Sequence, residues 1–253
     1  MILLFRTALL AALCLAHALF LSLAHGADTR HGASMPDLRE VAPGPERKAA
    51  FFELIMPLVN GANARIERER AWLTSLREQK TLSKLERQRL TQLCARYRLE
   101  CKESIPWAAL EQRVDTLPVE LVVSQAILES GWGTSRLARR GNNLFGMRCF
   151  GKECGIQQLG SARRFQTFQS VGAAVEAYIL NLNTHPAYAT LRRLRAQAGA
   201  DERVPTGAGL IPGLTRYSTR GIGYLHALRQ ILVDNQRAIT QYRQVQSPQM
   251  AAN

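Results

Sequence analysis

The middle of the chain contains a segment that is apolar on nearly every helical face, which is typical of a helix buried in a core. This segment runs from Pro118 to Ser130. Pro118 suits the first helical turn, and Asp115 or Thr116 could cap the start. Gly131 suits a left-handed end. The pattern therefore predicts a buried central helix that stops at a Gly-Trp-Gly turn.

Apolar residues at helical spacing predict further helices on the N-terminal side of this segment. Residues 47–79 form one helix or two, because Pro57 and Gly61 fall inside the pattern and indicate a kink or a break. Another helix is predicted over residues 83–97, and a short one follows Ser104. Together these segments predict a helical extension ahead of the central helix.

The second half of the chain predicts one small β-hairpin among helices. Residues 143–169 are the stretch with strand character, since glycines supply turns and phenylalanines alternate with polar residues. Residues 207–213 are rich in Gly and Pro and predict a loop. Helices are predicted over residues 134–140, 171–182, 186–199 and 221–242. The expected fold class is mainly α, of the α+β type, with a small β-hairpin.

The N-terminus has the features of a secretory signal: a basic residue, a long apolar run and small residues at a cleavage site. This predicts export to the periplasm, and an uncleaved membrane anchor is the alternative. A flexible leader is expected next, because it lacks any apolar period. The expected organisation is a signal peptide (1–26), a flexible leader (27–46), an N-terminal helical extension (47–115), a catalytic domain (116–242) and a disordered tail (243–253).

The cysteine content agrees with export. Cys14 lies in the signal, which leaves four cysteines as two local pairs, Cys94 with Cys101 and Cys149 with Cys154. An even number in an exported chain predicts two disulfides. Free buried thiols or long-range pairing remain the alternatives.

No metal or cofactor is expected. His185 and His226 lie far in sequence from both cysteine pairs, and no His-Glu-x-x-His helix occurs. The formal net charge of +13 predicts attraction to polyanions, which for an exported bacterial protein are wall carboxylates and anionic envelope surfaces. Nucleic acid is excluded by export and by the lack of a recognisable module. Arg192, Arg193 and Arg195 are expected on an ordinary solvated face.

Glu129 is the main chemical candidate, because it ends an otherwise apolar helix. Burial and the negative end of the helix dipole both disfavour its ionised form and are expected to raise its pKa. A carboxyl that stays protonated near neutral pH beside the Trp132 indole suits general-acid cleavage of a glycosidic bond. The competing interpretation is a solvated surface glutamate.

Several separated blocks, in order, resemble the glucosaminidase domain of glycoside hydrolase family 73, described as mannosyl-glycoprotein endo-beta-N-acetylglucosaminidase-like. The family includes bacterial autolysins and the peptidoglycan hydrolase domain of the flagellar rod-assembly protein. The blocks are Ala126–Gly133, Asn142–Met147, Ala177–Tyr188, Gly213–Ser218 and Gly221–Tyr224. The resemblance implies a lysozyme-like fold, a hairpin beside a cleft, and Glu129 as the general acid facing that cleft. It also implies that peptidoglycan glycan strands are the substrate.

The resemblance does not identify a second catalytic group in this sequence. Many relatives place a second glutamate in the hairpin, whereas residues 155–165 contain no carboxylate here. Glu153 is a weak second-carboxylate candidate, and Glu176 is expected to be solvated. Either the substrate's 2-acetamido group or a water positioned by Tyr and Asn side chains could replace a second acid.

The resemblance also suggests aromatic and amide groups around the cleft. Tyr224 is a catalytic candidate, although Gly221-Ile222-Gly223 replaces the lead-in of many relatives. Tyr217, Trp132 and Asn143 are substrate-binding candidates. The alternative for the tyrosines and Trp132 is core packing, and for Asn143 it is capping the turn before Leu144.

Three functions follow from this sequence. The leading one is an exported endo-β-N-acetylglucosaminidase acting on peptidoglycan. A muramidase or lytic transglycosylase on the same fold is the first alternative, because lone-glutamate enzymes need no second carboxylate. A weakly active or inactive peptidoglycan-binding protein is the second. The sequence does not indicate the oligomeric state.

Overall fold

The computed structural model describes residues 32–102 and 104–251, with side chains up to residue 244. The predicted signal peptide lies outside the described residues. No helix within these ranges is long and apolar enough to cross a membrane. The helices are α1 (Pro45–Arg77), α2 (Lys84–Arg96), α3 (Trp107–Arg113), α4 (Val119–Ser130), α5 (Arg136–Gly141), α6 (Val171–Thr184), α7 (Ala189–Ala200), α8 (Gly207–Leu210) and α9 (Ile222–Ala251), with 3-10 turns at Pro186–Tyr188 and Ile211–Leu214.

Helix α4 is the buried centre of the fold, as its sequence predicts. Leu121, Val122 and Ala126 are fully buried, and the helix packs mainly against α9 and α1. It ends at Gly131, which has the left-handed φ of 57° that its glycine permits. The predicted left-handed end at Gly131 is confirmed, but the predicted N-terminal cap at Asp115 or Thr116 is wrong, because Pro118 holds that position and no side chain caps the helix. The mainly helical α+β fold class is confirmed.

Helix α1 is one continuous helix through Pro57 and Gly61, which confirms the first of the two predicted alternatives, one helix without a break. Phe51 and Ile55 before the proline, and Val59 after it, are all buried on the same stripe against α6 and α4. A proline inside a helix costs about 3 kcal/mol. Burial of several large apolar side chains offsets that cost, because each contributes about 1.5–3 kcal/mol.

Part of the predicted leader is packed onto the domain, which corrects the expectation of flexibility for its described residues. Met35 and Leu38 are buried. The Met35 N–H donates to Asn142 Oδ1 at 2.7 Å. A Cβ at Gly133 would lie 2.1 Å from Met35 Cε, so the glycine makes room for this contact.

Two further expectations about the C-terminal part are corrected. Residues 207–213 form α8 and the start of a 3-10 turn instead of a loop, because Leu210, Ile211 and Leu214 bury their side chains. The N–H of Gly207 donates to Glu120 Oε1 at 2.8 Å, which ties α8 to α4. Helix α9 continues to Ala251, so residues 243–251 are helical and not a disordered tail.

The strand region forms a three-stranded antiparallel sheet. Its strands are β1 (Arg148–Cys149), β2 (Ile156–Gln157) and β3 (Arg164–Phe165), in the order β1-β3-β2. The predicted hairpin corresponds to β2 and β3, and β1 adds to the other edge of β3. Both cysteine pairs form disulfides: Cys94–Cys101 after α2, and Cys149–Cys154 across the β1–β2 loop.

Arg195 on α7 is buried against the segment that leads from α3 into α4, which corrects the predicted solvated face. Its side chain pairs with Asp115, and its guanidinium donates to the backbone carbonyls of Gln112 and Thr116 and to Asn183 Oδ1. Burial lowers the pKa of Arg195 to about 10, and the charge of Asp115 opposes that shift. Arg192 is also buried, and its guanidinium donates to carbonyls at the end of α6. Of the three, Arg193 is exposed.

Candidate active site

Glu129 lies in the last turn of α4, where the backbone turns at Gly131. Its side chain is half-buried, and burial raises the pKa of the carboxyl above its ordinary value of 4.5. A hydrogen bond from Tyr224 and the positive charge of Arg220 oppose this shift without cancelling it. The geometry therefore holds a carboxyl whose neutral form is favoured by its surroundings.

A chain of buried hydrogen bonds leads from α6 to Glu129. Gln125 lies one helical turn before Glu129 on the same face of α4. The Tyr178 hydroxyl on α6 donates to Gln125 Oε1, and Gln125 Nε2 donates to the Tyr224 hydroxyl oxygen at 2.8 Å. Tyr224, in the first turn of α9, hydrogen-bonds to the Glu129 carboxyl. Three helices thus position this one acid.

The order of donors and acceptors in this series of hydrogen bonds fixes the direction of the bond between Tyr224 and Glu129. Because Tyr178 donates to the carbonyl oxygen of Gln125, the Gln125 amide group is left to donate to Tyr224. The Tyr224 hydroxyl accepts that bond, so its own proton is directed to Glu129. Burial and the neighbouring Glu129 charge raise the pKa of Tyr224, which keeps the phenol protonated.

Stacked aromatic rings surround this hydrogen-bond chain. Tyr217 stacks on Tyr224 with ring centroids 5.4 Å apart, and Tyr178 stacks on Phe145 at 3.9 Å. The Tyr217 hydroxyl donates to the Phe145 carbonyl at 2.7 Å. Tyr188 lies against Tyr217, with centroids 6.0 Å apart. These rings lie near Glu129, since its charge contributes to the raised pKa values of Tyr178, Tyr188 and Tyr217.

The loop after α5 passes directly against the carboxyl. Gly146 has a φ of 61°, and a Cβ built on it would lie 3.2 Å from Glu129 Oε2. Asn143 holds this loop: its Nδ2 donates to the carbonyls of Met147 and Gln166, and its Oδ1 accepts from the Met147 N–H. A glycine is therefore required both by the backbone and by the approach of the acid.

Comparisons with known proteins show the family of this chain. Residues 106–209 match the family model described as "Glucosaminidase: Mannosyl-glycoprotein endo-beta-N-acetylglucosaminidase". "Protein bax" of Escherichia coli (strain K12) is 42% identical over 210 residues, which cover 82% of this chain and 76% of that protein. The chain belongs to the glucosaminidase family. It is a glycoside hydrolase.

Two solved structures are also similar to this chain at low identity. A C-terminally truncated glycoside hydrolase domain of FlgJ from Salmonella typhimurium is 19% identical with a TM-score of 0.36, and the match covers 58% of this chain and 98% of that one. The catalytic domain of the autolysin Auto from Listeria monocytogenes is 18% identical with a TM-score of 0.37, and the match covers 70% and 96%.

The structure places two of the substrate-binding candidates in packing roles. The Trp132 ring lies edge-on against Phe51 and Phe52 of α1, at centroid distances of 5.6 and 5.7 Å, with Lys48 Nζ 5.2 Å from its centroid. Asn143 is buried, and its amide is committed to the loop described above. The structure therefore favours packing over substrate binding for Trp132. For Asn143 it favours a role in holding the local turn over substrate binding.

The other candidates differ in how near they lie to the acid. The half-buried Tyr217 ring adjoins the site through its stack on Tyr224, while its hydroxyl is committed to a backbone carbonyl. Glu153 is exposed in the β1–β2 loop. Within the described ranges, no carboxylate is among the groups that shift the pKa of Glu129, and no cluster of three or more His, Cys, Asp or Glu side chains could hold a metal ion.

Sequence reasoning missed Gln125, Tyr178 and Gly146. For Gln125 a signal was available, since it is a polar residue in an otherwise apolar helix, one turn before Glu129. Tyr178 and Gly146 lie inside the family blocks, but nothing in the periodicity of either segment indicates a contact with the acid. Their proximity arises only when α6 and the loop after α5 pack against α4.

Proposed function

We propose that this glycoside hydrolase is an exported endo-β-N-acetylglucosaminidase that cleaves the glycan strand of peptidoglycan. The observation that carries the proposal is the Glu129 carboxyl, which is half-buried, has a raised pKa and is held by Tyr224. Membership of the glucosaminidase family supports the same chemistry. The +13 charge suits a substrate that carries carboxylates.

Glu129 acts as the general acid in this mechanism. In its neutral form it donates its proton to the oxygen that leaves the anomeric carbon of N-acetylglucosamine. Tyr224 donates a hydrogen bond to the same carboxyl, so the acid keeps one orientation before and after the proton is transferred. The hydrogen bond also stabilises the carboxylate that forms, because hydrogen bonds to charged acceptors are stronger than those to neutral ones.

A protein carboxylate close to Glu129 is not assigned as the nucleophile or base of this reaction. Two catalytic carboxyl groups of a retaining enzyme stand about 5–5.5 Å apart, a separation at which each strongly shifts the pKa of the other. The pKa of Glu129 has no such contribution from the described residues. Attack by the substrate's 2-acetamido group, or by water, fits this arrangement.

The same observation supports a second candidate function. A muramidase or lytic transglycosylase cleaves the other glycosidic bond of the strand, and a transglycosylase needs one acid and no nucleophilic carboxylate. The products separate the candidates, since a glucosaminidase leaves a reducing N-acetylglucosamine end and a transglycosylase leaves a 1,6-anhydro-muramyl end.

Export is part of the proposal. The two disulfides, Cys94–Cys101 and Cys149–Cys154, support an oxidising compartment such as the periplasm. The apolar N-terminal segment with its small-residue cleavage site supports the same location.

The deciding experiment digests purified peptidoglycan with the wild-type protein and with Glu129→Gln, and identifies the fragments by mass spectrometry. The proposal predicts fragments with reducing N-acetylglucosamine ends from the wild type, and a loss of about 10²-fold or more in turnover for Glu129→Gln. Anhydro-muramyl ends would support the transglycosylase. Retention on peptidoglycan without any soluble fragment would identify a binding protein and contradict the proposal.

A further inference from the structure

The segment between Glu129 and Glu176 is strongly basic. It contains seven Arg or Lys residues and a single acidic residue, Glu153, whereas the whole chain has 33 basic and 20 acidic residues. Helix α5 and all three strands lie in this segment. The basic residues are Arg136, Arg139, Arg140, Arg148, Lys152, Arg163 and Arg164.

Most of this charge is not neutralised by carboxylates. Arg139 lies 3.6 Å from Asp37. Arg136 and Arg164 donate to backbone carbonyls, Arg164 to those of Cys154 and Gly155, so they shape the β1–β2 loop and keep their charge. Arg148, Lys152 and Arg163 are exposed, and no ion pair among the described residues includes them.

An exposed aromatic ring lies among these cations. Phe150 exposes 88% of its surface, and the Arg148 guanidinium carbon lies 5.3 Å from the centre of its ring. The Cys149–Cys154 disulfide closes the loop that carries Phe150 and Lys152, which limits the conformations the loop must lose on binding a partner. We call Arg148, Phe150, Lys152 and Arg163 the basic sheet surface.

The basic sheet surface is continuous with the catalytic acid along the chain. Gly146 lies against Glu129 Oε2, and β1 starts two residues later at Arg148. Phe150 is four residues from Gly146, a reach of at most about 14 Å for an extended chain. A polymer bound across Glu129 therefore has this surface beside it.

We propose that the basic sheet surface binds the carboxylates that a peptidoglycan strand carries on its lactyl and peptide groups. The proposal rests on the proposed function and narrows it: the preferred substrate is an anionic glycan instead of a neutral N-acetylglucosamine polymer. Cations supply the charge complementarity, and the Phe150 ring offers a face on which a sugar can stack.

The test measures binding and uses two variants with the same change in net charge. The first combines Arg148→Gln, Lys152→Gln and Arg163→Gln. The matched control combines Lys80→Gln, Lys84→Gln and Arg87→Gln, exposed cations in and before α2. Both are made in the Glu129→Gln background, so that retention on sedimented sacculi is measured without digestion. Melting temperatures of both variants check folding.

The proposal predicts that the first variant binds sacculi about tenfold more weakly, while the control binds like its parent. The single change Lys152→Gln, at an exposed loop position, should also weaken binding to sacculi, but by less than the triple change. On sacculi whose carboxylates have been amidated, the difference between the two variants should vanish.

Three outcomes would overturn the inference. The two triple variants could bind native sacculi equally, or their difference could persist on amidated sacculi. Alternatively, the first variant could lose binding only to phosphatidylglycerol vesicles, which would identify a lipid surface. Failure of the proposed function has a different signature. If that function is wrong, the wild type releases no fragments, but the binding difference between the two triple variants is unchanged.

Discussion

Glu129 is the residue for which the sequence was most informative, because an acidic residue at the end of an apolar helix predicts both burial and a raised pKa. The raised pKa agrees with that reasoning, and burial is its largest cause. The partners of Glu129 were harder to predict. Gln125, Tyr178 and Tyr224 come from three helices, and only the packed fold brings their polar atoms within hydrogen-bond distance.

Changing Tyr224 to Phe tests the hydrogen bond to the acid. The bond lowers the pKa of Glu129, so its loss should raise that pKa further and move the high-pH limb of the activity profile to higher pH. We expect turnover to fall by about 10²-fold, because the acid loses its fixed orientation. The measurement is the dependence of kcat/KM on pH.

The matched control is Ser124→Ala on the same helix. Ser124 is buried next to Gln125, and its hydroxyl has no hydrogen-bond partner among the described residues. We expect this variant to keep the wild-type profile. A Tyr224→Phe profile that coincides with the control would show that Tyr224 does not act on Glu129.

At the scale of elements, most helices could be predicted from apolar spacing and from caps. Residues 83–97 and 171–182 were predicted close to α2 and α6, which begin at capping serines. The errors arose where tertiary packing overrides local signals. The loop predicted over residues 207–213 becomes helical because its apolar side chains are buried.

Arg195→Ala tests the contacts that hold the segment leading into α4. The buried guanidinium pairs with the Asp115 carboxylate and donates to Asn183 Oδ1 and to three backbone carbonyls, and the variant removes all of these contacts. We expect the free energy of unfolding to fall by about 3–5 kcal/mol, as for other broken buried ion pairs. Chemical denaturation measures this change.

Arg193→Ala on the same helix is the comparison, because Arg193 is exposed. Its free energy of unfolding should stay within about 0.5 kcal/mol of the wild type. Equal effects of the two substitutions would show that Arg195 does not anchor α4.

At the scale of the whole molecule, the described segments form one connected core. Helix α1, from the predicted extension, packs against α4 and α6 of the predicted catalytic domain. The segment before α1 adds Met35 and Leu38 to the same core. Sequence periodicity could not predict this contact, because two isolated apolar residues give no helical or strand pattern and their site forms only at the Gly133 turn.

The double variant Met35→Ala, Leu38→Ala tests whether this segment belongs to the core. Each substitution should destabilise the protein by about 2 kcal/mol, the low end for buried Leu or Met to Ala changes, since the segment can adjust. The exposed residue Val204 provides the control substitution, Val204→Ala. Thermal unfolding compares the variants, and a double variant as stable as the control would mean that the segment is not packed in solution.

The central claim is that burial favours the neutral form of the Glu129 carboxyl. The most direct measurement is the titration of its carboxyl carbon by NMR in 13C-glutamate-labelled protein, with the signal assigned by its absence in Glu129→Gln. The account predicts a midpoint clearly above the ordinary value of 4.5, matched by a loss of kcat/KM as pH rises through that midpoint. A midpoint at or below 4.5 would contradict the account, because the surroundings of the carboxyl would then not favour its protonated form.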